Sequence, residues 1–94
     1  MSIGLLTLHI LLPGCSSLKE KRSRLKPLLA RLHREFNVSA AEVGLLDSWG
    51  EAVLACALVS NDSSFTQGAL QSVADWVENY WRDVDLVENH VEII

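Results

Sequence analysis

Between Lys19 and Arg34 the chain carries seven cations, Lys19, Lys21, Arg22, Arg24, Lys26, Arg31 and Arg34, against a single acid, Glu20. The chemistry open to such a run is anion binding. Lys19, Lys21 and Arg22 fall at the start of an expected helix, where the helix dipole disfavours cations by roughly 0.3–1 kcal/mol each, so helix stability alone does not select them. With the free backbone N–H groups of that first turn they form a candidate phosphate site, which Arg24, Lys26, Arg31 and Arg34 extend along the helix. RNA phosphates are the natural ligand for the stripe. The same side chains equally suit a solvated helix face, or the acidic surface of a partner or second subunit. No aromatic residue suited to base stacking accompanies them on the helix, which argues against sequence-specific readout.

Other reactive types are sparse. His9 and His90, near Glu88 and Glu92, form a conceivable metal set if their strands are adjacent, but polar residues at a sheet edge or interface are the ordinary reading. His33 lies among basic residues and is expected to face solvent. No serine or cysteine sits in a nucleophile elbow, and there is no Gly-rich phosphate loop or metalloprotease motif. The expectation is therefore a non-enzymatic protein with no catalytic residue, metal or cofactor. Asp47 and Trp49 read as turn-forming and packing residues, with a binding role as the alternative.

The elements that must position these groups follow from pattern. Ile3 to Leu12 is apolar on both faces and stopped by Pro13-Gly14, as a buried strand is. Ser17 as N-cap and Glu20 as its capping-box partner open a helix to about residue 36, with Leu18, Leu25, Leu28, Leu29, Leu32 and Phe36 on one apolar stripe about 100° wide. Pro27 lies opposite the stripe and predicts a kink. Asn37–Asp47 and Ala52–Ser60 read as a hairpin about Asp47-Ser48-Trp49-Gly50, the second strand being apolar on both faces. Asn61 to Ser64, with Gln67, caps a second helix whose apolar side holds Phe65, Ala69, Leu70, Val73, Trp76, Val77, Tyr80 and Trp81. Asp83–Ile94 alternates, Val87, Val91 and Ile93 against Glu88, His90 and Glu92.

The order β-α-β-β-α-β with right-handed crossovers predicts an α+β, ferredoxin-like sandwich: a four-stranded antiparallel sheet with two helices on one face, as a single domain over 1–94. The other sheet face then has an uncovered apolar centre, which makes a homo-oligomeric interaction or regulatory module the alternative to RNA binding.

Composition bounds the reading. In 94 residues, 49% are hydrophobic and 21% charged, which excludes intrinsic disorder. The net charge of -4 conceals +6 in residues 1–34 and -10 in residues 35–94. Cys15 and Cys56 form neither a CxxC pair nor a disulfide scaffold, so a reduced cytoplasmic setting is the default. No apolar run is long enough to span a bilayer, and no membrane partner is expected. Leu12-Pro13-Gly14-Cys15 mimics a lipoprotein cleavage box, but no Lys or Arg precedes Lys19 to form the cationic n-region. The N-x-S matches at Asn37 and Asn61 matter only in a secreted chain.

The blocks Ser17-Leu18-Lys19-Glu20-Lys21-Arg22-Ser23, Leu28-Leu29-Ala30-Arg31-Leu32, Phe36-Asn37-Val38-Ser39-Ala40-Ala41-Glu42-Val43, Asp47-Ser48-Trp49 and Val59-Ser60-Asn61-Asp62 resemble the YlxP-like family of small bacterial proteins of unknown function. The resemblance spans residues 3 to about 80. It implies a ferredoxin-like fold, a cytoplasmic bacterial protein and, because its members are often encoded near translation-initiation and ribosome-maturation factors, RNA or the ribosome as partner. Pro27 and the heavy Trp76, Tyr80 and Trp81 cluster depart from the family's usual pattern.

Overall fold

Alternation, capping and turn residues produce six elements in the computed structural model, which describes residues 1–94. They are β1 (Ser2–Leu11), α1 (Leu18–Phe36), β2 (Ser39–Gly44), β3 (Glu51–Ser60), α2 (Ser63–Tyr80) and β4 (Asp85–Ile93). The strands form one antiparallel sheet in the order β2-β3-β1-β4, with the two helices packed on it, which is the ferredoxin-like arrangement. β1 and β3 are central, as their apolar faces require.

Leu6, Leu8 and Ile10 of β1, with Ala52, Leu54 and Cys56 of β3, are fully buried against Leu25, Leu28 and Leu32 of α1 and Leu70, Val73 and Val77 of α2. At about 25 cal/mol per Å² of apolar surface removed from water, this layer is the main source of stability. Burial pushes the Cys56 thiol up to about 11, so it stays protonated and inert near neutral pH.

Local chemistry sets the element ends. The Ser17 hydroxyl accepts from Glu20 N–H at 3.0 Å and opens α1. Asn37 closes it in the left-handed region at φ 52°, which shortens the expected strand to begin at Ser39. α1 runs through Pro27 as one helix. α2 is capped by Asp62, whose carboxylate accepts from Ser64 and Phe65 N–H, rather than by the Ser64–Gln67 box.

Two expectations about burial are corrected. A bulge beside His9 and Ile10 shifts the β4 register, so Leu86 packs on the core and Val87 turns to solvent. Phe65 and Tyr80, assigned to the apolar side of α2, are exposed, whereas Trp76 and Trp81 pack against the core edge. Phe36 meets Trp76 edge-on with ring centroids 5.6 Å apart, and Trp76 meets Trp81 at the same distance.

The sheet face away from the helices carries Ile3, Leu5, Val53, Ala55 and Ala57 half-covered at its centre and Val59 63% exposed at one end. No helix is long and apolar enough to cross a membrane.

Candidate functional site

α1 does not present its seven cations as one stripe. The structure divides them into three held by the fold and four that meet no carboxylate.

Lys21 lies three residues after Leu18 and four before Leu25, inside the apolar stripe, and is 1% exposed. Its ammonium donates to the carbonyls of Leu45 at 2.8 Å and Ser48 at 2.7 Å. It also lies 2.7 Å from Glu42 Oε2, an ion pair whose angle departs from that of a hydrogen bond. The group is committed to β2 and to the turn before β3, so Lys21 is withdrawn from the phosphate set. Placing a charge here is tolerable only because all three acceptors converge on it.

Arg24 faces α2. Its guanidinium donates to Asp83 Oδ2 at 2.9 Å, to Asp83 O at 2.6 Å and to Pro13 O at 2.8 Å, with Glu20 at 3.6 Å. The hydrogen bond it donates to the Asp83 carboxylate raises its pKa further, and the fork ties three segments together. Arg31 lies over the indoles of Trp76 and Trp81, 5.5 and 6.0 Å from the ring centroids, and 3.4 Å from Glu35. It is a packing cation that retains partial exposure.

Lys19, Arg22, Lys26 and Arg34 are exposed and make no ion pair. Lys19, Arg22 and Lys26 follow one another at i+3 and i+4, so they share one flank of α1. His33, seven residues past Lys26, continues that flank, and its Nδ1 is 2.9 Å from Val38 O beside β2. Lys19, Arg22 and Lys26 therefore border the β2 edge, while Arg24 and Arg31 occupy the opposite flank, against the segment that follows α2 and against Trp76 and Trp81. None of the lysines and arginines lies on a strand, whereas the strands carry Glu42, Glu51, Asp85, Glu88 and Glu92.

The turn between β2 and β3 belongs to the same end of the molecule. Leu45 adopts φ 56°, a region that bulky side chains rarely enter, and its carbonyl takes both the Lys21 ammonium and Ser48 N–H at 3.0 Å. Beyond Ser48, Gly50 O accepts from Leu12 N–H at 2.8 Å. Trp49, between these two tethers, is 54% exposed, so it does not pack as the turn alone would suggest. Leu45 and Leu46 are exposed beside it.

The imidazoles do lie on adjacent strands. Thr7 pairs with His90 and His9 with Glu88, and both histidines line a hollow of about 260 Å³ with Thr7, Val53, Glu88 and Asn89. His9 Nε2 is engaged by Glu51 Oε1 at 2.8 Å, and no three His, Cys, Asp or Glu side chains converge as a metal set would.

Residues 3–91 match the model of a family described as a protein of unknown function, DUF503. The chain belongs to that family. It is also 35% identical over 78 residues to the uncharacterized protein YlxP of Bacillus subtilis (strain 168), covering 83% of this chain and 85% of that one. In this DUF503 protein three of the blocks that carry the resemblance meet in space: Lys21 from the first, Glu42 from the third and Ser48 from the fourth form one buried polar node. These blocks thus meet at a joint between α1 and the β2–β3 turn. The signal that Lys21 is not a surface cation is present in the sequence, in its place among the leucines of the stripe.

Proposed function

We propose that this is a non-enzymatic cytoplasmic protein that docks on structured RNA or a ribosomal surface by phosphate contacts from Lys19, Arg22, Lys26 and Arg34. The observation that carries the reading is that these four cations are solvent-facing and unpaired on one helix, while the other three α1 cations are held by the fold. A lysine or arginine without a carboxylate keeps its full capacity for a phosphate oxygen, and neutralising a polyanion releases its counterions. Such contacts position a protein without reading bases.

The test is retention of total RNA over a salt series by the wild type and by K19E/R22E/K26E, with Lys21 and Arg31 left intact because both support the fold. Wild type is expected to retain RNA at low salt and the variant to lose it. For a defined single strand, the slope of log affinity against log salt should flatten by about 2 for three lost contacts. Absence of retention by the wild type, or an unaffected variant, overturns the proposal.

A second reading, self-association through the open sheet face, is favoured by one observation: the half-covered apolar centre there continues to the exposed Val59. On this reading the protein sediments as a dimer at micromolar concentration and Val59→Glu disperses it. A wild-type monomer under those conditions removes it.

A further inference from the structure

Trp49 is an exposed aromatic residue that the core does not use. A tryptophan left more than half exposed contributes little to folding, yet the backbone on both sides of it is fixed. Ser48 O is held by the buried Lys21 ammonium, Gly50 O by Leu12 N–H, and Leu45 is kept at φ 56° by a carbonyl that accepts twice. A bulky residue in the left-handed region costs on the order of 1–3 kcal/mol and persists only where its surroundings over-determine it. Here the over-determining group is itself costly, a lysine taken out of water. The result is an indole presented on a braced turn, which forfeits little conformational freedom when something lands on it.

What lands there must suit two kinds of neighbour. Lys21 braces the turn, and the flank of α1 that borders β2 carries Lys19, Arg22 and Lys26, all exposed and without carboxylate partners. The turn itself offers apolar surface from Trp49, Leu45 and Leu46. A nucleotide combines an aromatic face with an anion in one repeating unit, and matches that pairing. In a duplex the base faces are occupied by their neighbours in the stack, so only an unpaired base is free for the indole.

We propose that Trp49 is a base-stacking platform which, with Lys19 and Arg22 on the adjoining phosphates, makes this protein a reader of unpaired RNA. The inference rests on the phosphate-binding reading above and narrows it, from structured RNA or a ribosomal surface to the single-stranded loops and ends that such RNA presents.

The experiment compares a short oligouridine with an RNA duplex of the same length, using anisotropy for affinity and tryptophan emission for stacking. The wild type is expected to bind the single strand more tightly and to be quenched by it. Trp49→Ala should weaken the single strand by about 5- to 150-fold, the range for one stacked base, and leave the duplex affinity unchanged. Trp49→Phe should retain most of the affinity. Thermal unfolding monitors that each variant is folded, and the exposed position makes that the expectation.

If both RNAs bind equally and Trp49→Ala changes neither, the stacking inference falls while the phosphate reading stands. If neither RNA binds, both fall. Unchanged RNA affinity in Trp49→Ala together with a lost dimer in sedimentation assigns the indole to a protein contact and overturns the proposal.

Discussion

Lys21→Met is expected to remove about 3–5 kcal/mol of stability, the usual cost of breaking one half of a buried ion pair. For a domain of this size that corresponds to a fall in melting temperature of roughly 15–30 °C, read by circular dichroism. The mechanism is the desolvated remainder. Glu42 Oε2 is buried and has no other partner, and the carbonyls of Leu45 and Ser48 lose their donor in the same step. Methionine keeps much of the lysine's length and apolar contact, so the loss reports the ammonium rather than a cavity. The double variant K21M/E42L should recover a substantial part, because replacing a buried pair by apolar residues is far less costly than orphaning one member. A loss below about 1 kcal/mol for K21M would show that water replaces the ammonium at its three acceptors.

Gly4→Val is expected to cost about 3 kcal/mol, at the upper end of the usual penalty for overpacking. Gly4 lies on the helix-facing side of β1, where α2 comes so close that a Cβ would collide with Thr66 Cγ2 and lie 2.7 Å from Leu70 Cδ1. Leu70 can turn aside at its far end. Thr66 has less freedom, because its hydroxyl shares a hydrogen bond of 2.6 Å with Ser60 and donates to Asp62 O at 3.2 Å at the α2 cap. Moving it strains the start of the helix. Gly4→Ala, which adds one methyl group, should fall between wild type and valine in chemical denaturation, and a neutral or stabilised alanine variant would refute the close approach. Glycine is needed here for its missing side chain, since the backbone at this position is ordinary strand.

The fold was largely legible because its signals are local. Ser17 and Glu20 mark the start of α1, Pro13-Gly14 ends β1, and the doubly apolar segments 3–12 and 52–60 announce central strands. What escaped is what depends on distant partners. Whether Arg24 is free turns on Asp83, 59 residues away, and whether Arg31 is free turns on the indoles of Trp76 and Trp81. The β4 bulge was not readable either, since a period of two fits on each side of it and says nothing of a slip between them. Lys21 is different in kind. Its place among Leu18, Leu25 and Leu28 was visible in the spacing, but charge type outweighed position in assigning it to the phosphate set.

Consider finally the layout of charge across the sheet. Lys19, Arg22 and Lys26 border the β2 edge, and Asp85, Glu88 and Glu92 lie on β4, the opposite edge. Three strand spacings separate those edges, about 14 Å. Salt screens interactions beyond about 8 Å at physiological ionic strength, so a partner meeting one edge scarcely senses the other. The protein therefore offers opposite signs at its two edges, so a charged partner of either sign meets a matching edge despite the net charge of -4.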